Sequence, residues 1–538
     1  MKKRNRVKML YILATVFLMH TLISCKKSGP DLPNIIVIYV DDLGYGDLSS
    51  YGATDISTPN VDRLADEGLL FTNAYAAASI CTPSRYSFLT GQYHWRNTTT
   101  WSVGKIKDVS IAPGDAGLTI DTAQATLADM LKQSGYKTGV VGKWHLGLGS
   151  AGGPDWNGEI APGPQDIGFD YSFLMPATAD RVPCVFVENR RVAGLDPADP
   201  IHVSYGEPVG DVSTIYNPDV TPGTIVSYDS STQRKDENIK MHPSFGHDQT
   251  IINGIPRIGY MTGGKAALWK DEEIAETLTQ KALDYISRNQ KDPFFLYFAT
   301  HDLHVPRVPG KAFAGKSDIG VYGDVILQMD WTVGQLLDKL DELGLSDNTI
   351  VILTSDNGPV MDDGYRDGSY ENLGGHKPSG NLREGKYSAY EGGTKVPFIV
   401  RWPLKIKAGR SDALFSQVDL LASLAALAGS KNADKLAADS RDHSPVLVGS
   451  SNKGREYVIQ QNMSSTLSIV KDGWKYIEPT YKPQFNLYTH PKTDMGNLKE
   501  PQLYNIAKDP KEQEDLVKKY PDKANEMADL LSRVKNLE

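Results

Sequence analysis

Four strand-like runs, residues 35–40, 136–141, 293–300 and 349–354, lie far apart in the chain, and each leads directly into polar residues of reactive type. The first, Ile-Ile-Val-Ile-Tyr-Val, is continuous, apolar and largely β-branched. Its length and lack of polar alternation suit a strand covered on both faces, as in a parallel sheet. In such a sheet the carboxyl ends of the strands lie side by side, and ligands bind outside them. Asp41 and Asp42 follow the first run, Lys143 and His145 the second, His301 and His304 the third, and Asp356 and Asn357 the fourth. Amphipathic helices are predicted from Pro59 and over 125–134, 271–290, 325–343 and 418–428. The expected fold is α/β, a large mostly parallel central sheet sandwiched by helices. Runs at 458–461, 467–471 and 474–478 predict a smaller antiparallel sheet, followed by a last helix over 521–537. This organisation reads as an α/β domain at 33–445 and a C-terminal α+β subdomain at 446–538.

The chain has 538 residues, too many for one small core. Its net charge of −9 argues against a nucleic-acid partner, which calls for a basic stripe. Three cysteines, Cys25, Cys81 and Cys184, make neither a disulfide framework nor a thiolate zinc cluster. A Cys81–Cys184 disulfide stays open on counting alone.

Residues 1–24 read as a signal peptide: Lys2, Lys3, Arg4, Arg6 and Lys8 precede an apolar stretch too short for a comfortable membrane span. Leu22-Ile23-Ser24-Cys25 looks like a bacterial lipobox, with Cys25 lipidated and residues 25–32 a tether. The chain is thus expected to be an exported lipoprotein, held by a lipid anchor in the membrane. Lys26-Lys27 lacks an acidic tract suited to surface export, which favours the periplasmic side of the outer membrane, or the periplasm.

Residues 79–91, SICTPSRYSFLTG, centre on Cys81. Pro83 suits the first turn of a helix, here read over 84–89, and Cys81 would sit just ahead of its N-terminus. Free N–H groups and the helix dipole favour an anion there. Arg85, about one turn deeper, can reach the same place. A reactive side chain at an anion pocket suggests chemistry on a sulfate or phosphate ester. Adjacent buried carboxylates at Asp41-Asp42 are costly unless paired or bound to a cation. Together with Asp356 and the amide oxygen of Asn357 they are hard oxygen ligands, suited to calcium or magnesium. Lys143 and His145, two apart on an extended segment, should point the same way. Long polar loops over 149–270 suit specificity walls, where Asp180 and Arg181 could bind a sugar or form a plain surface salt bridge. Asp47 is read as capping a turn, and His376 and Lys377 as lining the pocket. His242 and His247 receive no role.

These strings resemble the type I sulfatases, whose Cys-x-Pro-x-Arg signature is matched by Cys81, Pro83 and Arg85 and continued by Leu89-Thr90-Gly91. Asp41-Asp42, Gly142-Lys-Trp-His-Leu-Gly147, Ser355-Asp-Asn-Gly358 and Gly385-Lys386 match further family strings. The resemblance, closest to arylsulfatase A-like and N-acetylgalactosamine-6-sulfatase-like enzymes, implies a sulfuric ester hydrolase. It implies that a maturation enzyme oxidises Cys81 to formylglycine (3-oxoalanine), whose hydrate attacks sulfur. It makes Asp41, Asp42, Asp356 and Asn357 ligands of one divalent cation, Ca2+ in most relatives, and Lys143 and Lys386 sulfate ligands. Arg85 would orient the hydrate, His145 would partner its hydroxyl, and His304, chosen over His301, would be the general acid. Thr178 aligns loosely with a family serine near the sulfate. Lys395 falls where the family often has a basic residue without a fixed role. The implied substrate is a sulfated carbohydrate, read as galactose or N-acetylgalactosamine of host or algal glycans. Rival readings are a phosphonate or phosphate ester hydrolase of the alkaline phosphatase superfamily, and a non-catalytic lipoprotein that binds sulfated glycans.

Overall fold

The computed structural model describes residues 32–97, 102–103, 106–107, 111–210, 239–430 and 437–536. The expected signal peptide, Cys25 and nearly all of the tether lie outside the described residues. The main sheet is built, in chain order, from β1 (Asn34–Val40), β2 (Leu69–Phe71), β3 (Lys137–Lys143), β4 (Tyr171–Met175), β5 (Val187–Glu188), β6 (Arg191–Val192), β7 (Phe294–Ala299), β8 (Thr349–Ser355), β9 (Phe398–Arg401) and β10 (Gly409–Ser411). Across the sheet they run β10-β2-β9-β8-β1-β7-β3-β4-β5-β6. The centre is parallel: β1 pairs with β7 and β8, and β3 with β7 and β4. The flanks are mixed, since β9 runs antiparallel to both β8 and β2, and β5 to β4. All four runs predicted as buried strands are central strands, and every residue of β1, β7 and β8 is buried.

Both faces are covered. Tyr39 and Tyr297 share one face, and Phe88 of α2 (Cys81–Thr90) packs against each ring at a centroid distance of 5.0 Å. Gly139 points to the opposite face, where a Cβ would meet the Tyr285 ring of α4 (Ile274–Asn289) at 2.4 Å. Helix α5 (Gly320–Glu342) packs against both α1 (Pro59–Asp66) and α4, while α3 (Leu127–Gln133) and α6 (Leu420–Leu427) join α2. Thr126 opens α3 with a reciprocal capping box to Asp129.

A second sheet of β11 (Val458–Gln461), β12 (Leu467–Lys471), β13 (Trp474–Ile477) and β14 (Gln502–Asn505) is antiparallel throughout. Helix α7 (Pro521–Lys535) buries Met527 and Leu531 in the core that this sheet shares with Ala77, Tyr93 and Val418. Residues Asn34–Glu538 form one compact unit. A buried polar joint ties the second sheet to the segments at Tyr75 and Glu391: Lys475 Nζ on β13 bonds Glu391 Oε1 at 3.0 Å and lies 3.7 Å from Glu512 Oε1, and Tyr75 donates to Glu391 Oε2. Replacing Lys475 by methionine would strand two buried carboxylates. We expect Lys475→Met to cost about 3–5 kcal/mol, read as a lower urea midpoint. An unchanged midpoint would show that the joint contributes nothing to stability.

Candidate active site

The carboxyl ends of β1, β3, β7 and β8 converge as their parallel pairing requires. Asp41 and Asp42 leave β1, and the turn at Asp42 has φ 57°. Asp356 follows β8 and binds its backbone N–H to the Val40 carbonyl at 3.1 Å, which sets the two acidic segments side by side. Ligand atoms of Asp41, Asp42, Cys81 and Asp356 all lie within 4.8 Å of one another, and the four residues are buried.

Three cations balance the three carboxylates. Lys143 Nζ bonds both Asp41 oxygens at 2.7 and 2.6 Å. Lys386 Nζ bonds Asp42 Oδ2 at 2.8 Å. Arg85 directs Nε and Nη2 to Asp356 Oδ2 at 3.0 and 2.7 Å, and its Nη1 donates to the Lys143 carbonyl. Burial pushes the carboxyls of Asp41 and Asp42 up, against the pull of Lys143 and Lys386. Against its own burial, Asp356 is held below the ordinary carboxylate range by Arg85 and the two lysines. Asn357 donates from Nδ2 to Asp42 Oδ1 at 2.7 Å, while its Oδ1, also buried, has no hydrogen-bond partner. A buried, oxygen-only donor set with one orphaned oxygen fits a hard divalent cation. Gly358 follows because Gly392 O would lie 1.7 Å from a Cβ there; the constraint is close backbone approach rather than a special turn angle.

Cys81 is the first residue of α2, not the residue ahead of it, and Pro83 lies in the first turn. Its Sγ is 3.8 Å from Asp41 Oδ1, and burial pushes the thiol up to about 12 although Lys143 and Lys386 pull it down. Cys184 is a separate free thiol, so no Cys81–Cys184 disulfide forms. The extended-segment reading of Lys143 and His145 fails: Lys143 ends β3, and His145 has φ 55°, which breaks the alternation. The Thr82 hydroxyl anchors the His145 carbonyl at 2.9 Å. His145 Nε2 must donate to the Ala112 carbonyl at 3.0 Å, which leaves Nδ1 as the unpaired acceptor. His304 Nδ1 likewise donates to the Val305 carbonyl at 2.7 Å, and its Nε2 lies 3.9 Å from Asp42 Oδ2. Burial first, and the lysines second, hold both rings well below the ordinary histidine range, so both are neutral near pH 7. His301 instead lies beside Asp302, with Nε2 3.4 Å from Oδ1.

Thr178 and Asp180 are buried and bind a partly buried Arg181, so the three form one hydrogen-bonded group rather than a plain surface salt bridge. Arg181 Nη1 reaches Thr178 Oγ1 at 2.7 Å and both Asp180 oxygens at 2.9 Å. Asp180 is 2 % exposed, and Arg181 is among the cations acting on His145. His247, which the sequence left without a role, bonds Asp180 Oδ2 at 2.8 Å through Nε2. Asp363 was also missed. It accepts from Lys386 Nζ at 3.1 Å and from the Tyr387 hydroxyl at 2.7 Å, with Tyr387 held at φ 78°. Neither residue stands at a spacing that marks it in the sequence; both come from irregular loops. His376 does not line the pocket as expected, because Asp47 takes its Nε2 at 2.8 Å. Asp47 does close its turn, accepting from Gly44 N at 2.7 Å, and also receives the Tyr322 hydroxyl. Lys395 lies 3.9 Å from Glu391 and against the Tyr45 and Tyr75 rings.

Comparison with known proteins agrees with this arrangement. The family model described as Sulfatase matches residues 33–430. The chain is 54% identical over 503 residues to an N-acetylgalactosamine-6-O-sulfatase of Bacteroides thetaiotaomicron, covering 94% of this chain and 93% of that protein. It is 31% identical to human arylsulfatase A, over 90% of this chain and 83% of that one. A solved structure from work on glycosaminoglycan metabolism by Bacteroides thetaiotaomicron superposes with a TM-score of 0.86 at 54% identity, covering 94% of this chain and 99% of that one. A structure solved in complex with D-glucosamine-2-N,6-O-disulfate shares the fold alone, at 18% identity and TM-score 0.54. On the family match and the shared length together, the chain belongs to the sulfatase family and is a sulfuric ester hydrolase.

Proposed function

We propose that this enzyme removes the 6-O-sulfate of N-acetylgalactosamine in sulfated glycans. The observation that carries the reaction is the convergence of Lys143, Lys386 and the α2 N-terminus on Cys81, over a floor of three buried carboxylates. The choice of sugar and carbon rests on the relative with 54% identity and its named activity. Formylglycine made from Cys81 would supply the hydrated aldehyde as nucleophile. A divalent cation, calcium on this reading, would be held by Asp41, Asp42, Asp356 and Asn357 and would supply charge neutralisation and polarisation of the ester.

The chain's own groups divide the remaining work. Lys143 and Lys386 lie on carboxylates in this structure and neutralise the sulfate when it binds. Arg85, locked on Asp356, fixes the wall beside residue 81. His304 carries its lone pair on Nε2; a proton taken up there from solvent before attack passes to the departing sugar oxygen and returns the ring to neutral. His145 has its lone pair on Nδ1 and accepts a proton from the hydroxyl at residue 81. Thr178, Asp180 and Arg181, braced by His247, face the sugar. The chain is further read as a lipoprotein exported to the periplasmic side and acted on by a formylglycine-generating enzyme; the pattern at Leu22–Cys25 and the Cys81 motif support this.

Sulfate release from N-acetylgalactosamine carrying sulfate at O-4 or at O-6 tests the reading. Release from the 6-O ester is expected. Turnover of the 4-O ester alone would overturn it. Asp363→Asn removes the charge opposite Lys386 while keeping the shape. A lost charge-assisted hydrogen bond of this kind predicts a fall of about 10–100-fold in kcat/KM, chiefly through KM. Unchanged KM would remove Asp363 from the substrate site.

A further inference from the structure

Five of the seven large hydrophobic side chains exposed among the described residues fall in two neighbouring segments: Tyr370, and Tyr481, Phe485, Leu487 and Tyr488. Tyr481 is 87 % exposed. The second segment runs along a short hairpin that pairs Phe485–Asn486 with Thr493–Asp494. It is bound to the active-site wall. His490 exchanges backbone hydrogen bonds with Asp362 at 3.1 and 3.3 Å, and the next residue, Asp363, holds Lys386. The Tyr370 ring contacts the His490 ring at 5.5 Å, which joins the two segments into one surface.

The hairpin side of this surface is also distinctive in charge, although Glu371 is exposed beside Tyr370. Residues 479–493, PTYKPQFNLYTHPKT, contain no carboxylate, whereas the chain as a whole carries a net charge of −9. Lys482 and Lys492 are exposed within it. Exposed aromatic rings with lysines in the same segment, and with Lys499 Nζ 6.0 Å from the Tyr481 ring, beside a pocket for a sulfated sugar, match a chain of sugars with C–H faces and anionic substituents. A protein partner would have to leave the lysines unpaired or supply acids of its own; a sulfated glycan already carries them, and its reacting end is fixed in the adjoining pocket.

We propose that this aromatic and basic rim binds the sugars adjoining the one being desulfated, so that the enzyme prefers a glycan chain to the free monosaccharide. The inference rests on the substrate reading above. The test uses the matured full chain and compares 6-sulfated N-acetylgalactosamine alone with the same residue at the end of an anionic tetrasaccharide. Wild type is expected to show at least a five-fold lower KM for the tetrasaccharide. Tyr488→Ala and Phe485→Ala should each erase most of that difference and leave the monosaccharide KM within two-fold. Equal wild-type KM values, or equal losses on both substrates in both variants, would overturn the rim alone. Failure of wild type to turn over either 6-sulfated compound would overturn the substrate reading, and the rim with it.

Discussion

Cys81→Ala is expected to cut sulfate release by about 10³-fold or more while leaving the protein folded, because it deletes the proposed covalent nucleophile and little else. The thiol has a single polar contact, Asp41 Oδ1 at 3.8 Å, and alanine is favourable at the start of a helix. The substitution leaves Lys143, Lys386 and Arg85 in place, together with the four proposed cation ligands, so that with calcium present the lysines stay available to sulfate. The variant should therefore still bind sulfated sugar, which calorimetry would read. Mass spectrometry of the peptide containing residue 81 supplies the matching observation on wild type: an aldehyde mass in active preparations and a thiol in inactive ones. Turnover by Cys81→Ala within ten-fold of wild type would eliminate formylglycine as the nucleophile.

Chelation of divalent cations is expected to have the second largest effect, a loss of turnover that calcium restores. In this structure Lys143 and Lys386 sit on Asp41 and Asp42, the carboxylates that are to hold the ion. Removal of the ion leaves those lysines bound to the protein rather than available to sulfate. The ion also binds only the folded chain, so a hundred-fold excess over its Kd should add about 2.7 kcal/mol of stability. Thermal unfolding should rise with calcium concentration in the wild type. Asp42→Asn removes a ligand charge and should flatten that dependence. A melting temperature indifferent to calcium, together with full activity in chelator, would refute the proposed metal set.

Much of the centre of this molecule was legible because its strands are buried on both faces. Burial on both faces leaves an apolar run that needs no partner to be recognised, and parallel pairing brings the ends of such runs together. Asp41, Asp42, Lys143, Asp356 and Asn357 follow from that rule, which leaves His301 beside His304; the family resemblance selects His304 and marks Cys81 and Arg85. The edges were less visible. The sequence does not announce that β9 turns antiparallel, since an apolar run of four residues carries no direction.

What the sequence by itself determined is the central strands, the reactive residues at their ends and the local turn at Cys81, each of which depends on residues close together in the chain. Only the tertiary structure decided which loop residues join them. Asp363 reaches Lys386 across 23 positions, and His247 reaches Asp180 across 67. His376, close to Lys386 in sequence, is carried off to Asp47 across 329 positions. His145 faces the site through a left-handed backbone, not through strand alternation. Pairings of this kind are selected by the cost of leaving a buried charge or polar atom unsatisfied, and that cost exists only once the chain has closed around it.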